Sequence, residues 1–201
     1  MTMRVAVAVS GRGSNLQALL LSLGPSAPAR VVLVLSDRAG APALELARRH
    51  EVPVEVLLDA ADGSRWLAAL ERHRVDLIVL AGYLKLVPAA VVTRYRDRIL
   101  NIHPALLPSF GGKGMYGQRV HQAVLASGAR ESGATVHLVD EVYDRGTILG
   151  QTRVPVLLGD TPERLAARVL EAEHRLLPAA VLAAAAAGKP VTLPQPVEFF
   201  S

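Results

Sequence analysis

The 201-residue sequence predicts an α/β protein with a Rossmann-like, mostly parallel central sheet and helices on both faces. Two observations carry this expectation. Short runs rich in Val, Ile and Leu alternate with segments of helical spacing through the first half of the chain, as βαβ units require. Those runs are also apolar at consecutive positions, as expected of strands covered on both faces. The length suits one domain over residues 1–201.

Residues 5–9 form the first strand and end in Ser10-Gly11, followed by a helix over 15–23. A second strand over 31–35 leads to a helix over about 41–50, and a third short strand covers 53–57. Residues 65–73 read as helix, and 77–81 as a strand closed by Gly82. A helix over about 88–95 precedes the strand Ile99-Leu100-Asn101-Ile102-His103. From Pro104 the pattern changes. Residues 104–117 hold two prolines and four glycines, too irregular for an ordinary connection, which marks either a loop with a task of its own or a mobile one. A helix over 118–127 stops at Gly128. Strands over 134–139 and 147–156 flank the acidic turn Asp140-Glu141-Val142-Tyr143-Asp144. Asp160-Thr161-Pro162-Glu163 opens a last helix with a capping residue, a first-turn proline and acids at the positive dipole end. It is expected to run to about residue 176 and to resume after Pro178 through the alanine-rich 183–187, stopping at Gly188.

Composition excludes several function classes. No apolar run approaches the roughly 18 residues that span a bilayer. The N-terminus enters a strand without a basic segment ahead of a long apolar core, so no secretory leader is expected and a cytoplasmic setting is. With no Cys there is neither a disulfide nor a thiol nucleophile. No two of the six histidines are four residues apart, and no metal is expected. The net charge of +4 is spread along the chain, and aromatics are only 4%, so nucleic acid is not an expected partner.

Ser10-Gly11-Arg12-Gly13-Ser14-Asn15-Leu16 joins a strand to a helix. Glycines let the backbone turn sharply and approach a ligand, and the N–H groups opening the helix favour an anion such as phosphate. A dinucleotide fingerprint, with Asp37 as its ribose-binding acid, is a rival reading. The third glycine of that motif is Leu16 here, and no P-loop lysine follows. A tight βα turn without a ligand is the blander alternative.

Asn101 and His103 lie two apart at the carboxyl end of a strand, so their side chains share a face beside the irregular loop. A carboxylate partner such as Asp144 is expected to raise the imidazole pKa and hold it protonated. A protonated His beside an Asn suits a carbonyl oxygen that becomes an oxyanion. No G-x-S-x-G elbow is present, so a substrate amine attacking directly fits best. His137, inside a strand, reads as a supporting core histidine, His121 flanks the loop, and His50 and His73 sit at helix ends.

These segments together resemble the phosphoribosylglycinamide formyltransferase family, which transfers a formyl group from 10-formyltetrahydrofolate in purine biosynthesis. The matching stretches are Ser10 to Ala18, Leu80 to Leu86, Leu100 to Pro108, Gly133 to Glu141, Asp144, Gln151 and Glu173-His174. The resemblance implies that Asn101, His103 and Asp144 are catalytic, and that Gly13, Ser14, Asn15 and Glu173 bind the ribonucleotide. It implies folate contacts from Arg65, Leu84, Lys85, Leu86, Val87, Asn101, Val139 and Asp140. The partners implied are two small molecules, with a homodimer allowed. Tyr143-Arg145 and the loop over 111–117 depart from many members of the family.

Other readings remain: a formyltetrahydrofolate deformylase-like hydrolase, a methionyl-tRNA formyltransferase, or a nucleotide-binding domain without catalysis. The first is expected to carry an extra N-terminal domain and the second an extra C-terminal one, for which this length leaves no room. The third leaves the trio without a purpose.

Overall fold

Strands β1 (Met3–Val9), β2 (Ala29–Ser36), β3 (Val54–Val56), β4 (Leu77–Leu80) and β5 (Ile99–His103) run parallel in the computed structural model, which describes residues 1–194. Strands β6 (Glu131–Leu138) and β7 (Ile148–Pro155) continue the sheet antiparallel. The spatial order is β3-β2-β1-β4-β5-β6-β7. The chain works outward from β1 to one edge and then returns to β4 and the other edge. The predicted fold class is borne out.

Helices α1 (Ser14–Ser22), α2 (Pro42–Arg49), α5 (Gln118–Ala126) and α6 (Pro162–Ala187) cover one face of the sheet. Helices α3 (Gly63–Arg72) and α4 (Ala89–Arg94) cover the other. Alternation along β1 divides its side chains between two cores. Val5, Val7 and Val9 meet Leu16, Leu44 and Leu176, while Ala6 and Ala8 meet Trp66, Leu70 and Val91. The division slips in β2. Val5 pairs with Val31 but Ala6 pairs with Leu33, so Val32 is an extra residue, and Val32 and Leu33 both join the second core.

Helix α6 differs from the sequence expectation. It runs unbroken through Pro178, without the interruption that a proline ordinarily imposes. Proline removes one helical N–H and crowds the preceding turn. Here Leu176, Leu177, Ala180 and Val181 bury the same region against the sheet, and that packing offsets the cost of the proline. The helix starts where the sequence indicates, with Thr161 accepting from the Arg164 N–H, and ends at Gly188 with φ 71°. Strands β2 and β6 extend a few residues beyond the predicted bounds, because ladder pairing continues where the apolar pattern has lapsed.

Among the described residues, no helix is long and apolar enough to cross a membrane. Leu176→Ala is expected to lower unfolding free energy by ~2–5 kcal/mol, read from the urea midpoint, because its fully buried side chain leaves a cavity beside the proline turn.

Candidate active site

Open α/β sheets bind ligands beyond the carboxyl ends of their strands, where the strand order reverses. That reversal lies between β1 and β4, and a cleft of about 670 Å³ opens there. Its walls come from the turn after β1, the loop after β4, the end of β5, the loop over 112–118, the turn after β6 and one face of α6. The volume is in the range of small-molecule sites.

The β1 turn reaches the cleft because residue 13 has no side chain. Gly13 has φ 84°, and a Cβ there would come within 2.6 Å of the Ala43 Cβ. No side chain caps α1, and its first turn carries no acid, so its opening N–H groups are left for an anion. Asn15 is buried and its Nδ2 donates to Glu173 Oε2 at 2.7 Å, joining α1 to α6. Burial pushes the Glu173 carboxyl up to about 7, against the hydrogen bond from Asn15. Gly13, Ser14, Asn15 and Glu173, the residues expected at the ribonucleotide, therefore share one end of the cleft.

The loop after β4 forms a second wall. Ser10 N–H donates to the Gly82 carbonyl at 3.1 Å, and the Leu84 N–H donates to Ser10 Oγ at 3.0 Å. These bonds tie the exits of β1 and β4 together and fix Leu84, Lys85, Leu86 and Val87 along the cleft. Val139 and Asp140 line it from the turn after β6. Val139 N–H donates to the Ile99 carbonyl, and Asp140 accepts the Val142 N–H in a tight local turn. The pairing of β6 with β7 shifts between Val136 and His137, a bulge beside the site. Arg65 does not join this wall. It is exposed on α3, pairs with Asp62 at 3.7 Å and is not among the residues lining the cleft.

Asn101, His103, His137 and Asp144 meet between these walls. His103 Nδ1 lies 3.6 Å from Asp144 Oδ2, and Asp144 Oδ2 accepts the Gly112 N–H at 2.8 Å. Asp144 Oδ1 lies 3.5 Å from both Asn101 Nδ2 and His137 Nε2. The backbone of Asp144 is left-handed, with φ 55°, a conformation Asp tolerates better than most residues. Gly111 lies against the same cluster. A Cβ there would approach Leu107 Cδ2 to 2.5 Å and Asp144 Cβ to 3.2 Å.

Carbonyl partners set the imidazole protons. A carbonyl can only accept, so His103 Nε2–H donates to the Phe110 carbonyl at 2.9 Å, and His137 Nδ1–H donates to the Leu138 carbonyl at 2.8 Å. With the proton on Nδ1, the Nε2 lone pair of this ring takes a hydrogen from Asn101 Nδ2 at 3.0 Å. This fixes the Asn101 amide and leaves its second hydrogen engaged only by the long contact to Asp144.

The expected rise in the His103 pKa is overturned. Burial pulls it below the ordinary value, and the opposing pull of Asp144 and the Phe110 carbonyl does not make up the difference. Burial also pushes Asp144 upward, but the neighbouring His137, His103 and the Gly112 N–H outweigh it, and the carboxyl stays below its usual range. An ionised acid beside a neutral imidazole is the resulting state near pH 7.

Sequence reasoning did not find the Phe110 carbonyl or the Gly112 N–H, since main-chain groups leave no residue signature. It also read His121 only as a neighbour of the loop. His121 is buried and lines the cleft. Helical spacing carried that signal, because Val120, His121 and Val124 form the buried stripe of α5.

Residues 3–181 match the family described as formyl transferase, and the chain belongs to that family. Within it, the similarity is to glycinamide ribonucleotide enzymes. The chain is 48% identical, over 86% of its length, to the chloroplastic phosphoribosylglycinamide formyltransferase of Arabidopsis thaliana, of which the match spans 62%. The chain thus spans about three-fifths of the length of that curated relative. Among solved structures, phosphoribosylglycinamide formyltransferase from Brucella melitensis superposes with a TM-score of 0.84 at 44% identity, covering 92% of this chain and 97% of that one. Glycinamide ribonucleotide transformylase 1 from Symbiobacterium toebii gives 0.86 at 39%, covering 100% and 95%.

Glu173 makes a pH prediction. Its carboxyl stays protonated in the folded protein up to about 7 but ionises near 4.5 when unfolded. The native state therefore holds more protons across that window, and this contribution to stability is full below 4.5 and lost as pH rises to about 7. Melting temperatures measured from pH 4.5 to 7.5 should fall less steeply with rising pH in Glu173→Gln than in the parent protein.

Proposed function

We propose that this protein transfers the formyl group of 10-formyltetrahydrofolate to the amine of glycinamide ribonucleotide. The observation that carries the reading is the meeting of Asn101, His103 and Asp144 between an anion-favouring helix start and an apolar wall, in a chain similar to formyltransferases of that name.

The α1 turn suits the phosphate through main-chain N–H groups, with Ser14 and Asn15 adding side-chain donors. Glu173, near 7 and only half ionised at neutral pH, can both donate to and accept from sugar hydroxyls. Leu84 to Val87 offer the folate apolar contact and main-chain hydrogen bonds, opposite Val139 and Asp140. 10-Formyltetrahydrofolate supplies an activated one-carbon unit, and it is a substrate consumed in the reaction. No metal or nucleophilic side chain has a role in this reading.

The acceptor amine attacks the formyl carbon and a C–N bond forms, while the formyl oxygen takes the electron pair. Asn101 Nδ2 directs its less engaged hydrogen to that oxygen. His103 is neutral beforehand because it is buried. The proton on the attacking nitrogen moves, through water, first to the free Nδ1 of His103, whose cation then sits beside Asp144 and the developing charge, and from there to the departing folate nitrogen as the old C–N bond breaks. Asp144 holds the imidazole, and His137 holds the Asn101 amide.

The hydrolase alternative would require water in place of the amine, and no feature of the cleft favours that over the anion-favouring turn. The decisive experiment is an assay of formyl transfer from 10-formyltetrahydrofolate to glycinamide ribonucleotide by the purified chain. Product formation supports the reading and its absence overturns it. His103→Ala and Asp144→Asn should each lower kcat by ~10²–10⁴-fold with little change in melting temperature. Ser14→Ala combined with Asn15→Ala should raise KM for the ribonucleotide about tenfold or more and leave that for the folate unchanged. A changed folate KM would move the turn to the other pocket.

A further inference from the structure

His121 has no part in the chemistry above, yet the fold holds it in an expensive position. It sits on α5, is 5% exposed, lines the cleft, and has Nδ1 buried without a hydrogen-bond partner among the described residues. A buried polar group left unpaired costs about 1–3 kcal/mol, so an apolar side chain would serve packing better there. The neighbouring buried residues of α5, Val120 and Val124, show what packing alone selects. The ring is uncommitted to the protein and borders the space a ligand would fill.

Its location narrows the group it meets. Helix α5 packs on α6, the helix that carries Glu173. His121 and His103 line the same cleft, and burial, with a smaller contribution from the neighbouring His103, keeps the His121 imidazole below its ordinary pKa. His121 thus lines the same cleft as the carboxyl assigned to the sugar and the imidazole assigned to the formyl oxygen. In the acceptor, the segment between sugar and nucleophilic amine is an uncharged amide, with one N–H and one carbonyl. A neutral imidazole is matched to such a group, since it carries one donor and one acceptor.

We propose that His121 is a positioning and specificity residue that hydrogen-bonds the amide of the acceptor and so aims its amine at the formyl carbon. This rests on the function proposed above and extends it to a residue outside the trio. It makes two demands that a core histidine does not. Removing the imidazole should weaken the acceptor and not the folate, and it should not destabilise the fold, because an unpaired buried group is being removed.

The test uses His121→Phe and His121→Asn in the full chain, with melting temperature, steady-state kinetics for both substrates and calorimetric binding of glycinamide ribonucleotide alone. The phenylalanine variant should melt at the parent temperature or higher, with the acceptor KM and Kd raised about tenfold or more and the folate KM unchanged. The asparagine variant should recover part of the loss, since it restores a donor and an acceptor. Unchanged acceptor binding in the folded phenylalanine variant overturns the proposal, as does an equal rise in the folate KM. A lowered melting temperature in both variants with acceptor Kd unchanged assigns His121 to packing and also overturns it. Calorimetry separates this from failure of the proposed activity. A parent protein that binds the ribonucleotide through His121 but forms no formyl product sinks the activity and leaves the subsite standing. A parent protein that forms product while binding is indifferent to His121 does the reverse.

Discussion

The Asp144 carboxylate is the point on which the cleft depends. An ionised acid in a largely buried setting is tolerated only with compensating donors and charges around it. Here the donors are the Gly112 N–H from the long loop and, at longer range, Asn101 Nδ2 from the end of β5, with the rings of His103 and His137 packed beside the acid. Each neighbour limits where the others can be. Two residues of the cluster, Asp144 and Phe110, have left-handed backbones with φ 55° and 57°. Such conformations cost of order 1–3 kcal/mol each and persist only where surrounding contacts over-determine them. The loop is thereby held to the strand ends through its main chain, and its composition is freed to be glycine-rich.

Burial decides the charge states around that acid. The same enclosure that strengthens a hydrogen bond penalises an isolated charge, so His103 is neutral beside an ionised Asp144 and Glu173 is half protonated near pH 7. A neutral, proton-ready imidazole is a different device from a permanently charged one. It gains its proton when negative charge appears in the cleft, so its stabilising effect is concentrated in the transition state, where it speeds the reaction. The cleft combines the anion-favouring α1 turn, hydrogen-bonding groups at the strand ends and the largely apolar segment from Leu84 to Val87.

Much of this was readable from the residues alone. The parallel strands were visible because doubly covered strands leave unbroken apolar runs, and the two-residue spacing of Asn101 and His103 is a consequence of strand geometry. The segment after Pro104 marked itself by composition, as did the turn over Ser10 to Asn15. Other features had no local signature. Pro178 normally ends a helix, and it is overruled only by burial against a sheet assembled from distant residues. The extra residue at Val32 and the shift beside His137 arise from pairing with strands that the local pattern does not contain. Arg65, expected at the folate by resemblance, is paired with Asp62 on the exposed side of α3.

By itself, then, the sequence determined the fold class, the strands that carry the site, and the chemical types of the groups at the strand ends, because backbone period, propensity and turn preference act over a few residues. Only the tertiary structure decided which main-chain groups meet those side chains, how His137 orients Asn101, that His121 borders the cleft, and which way the His103 and Glu173 pKa values move. Those outcomes depend on distance and on exclusion of water. Both are set by packing between segments as far apart in the chain as Asn15 and Glu173.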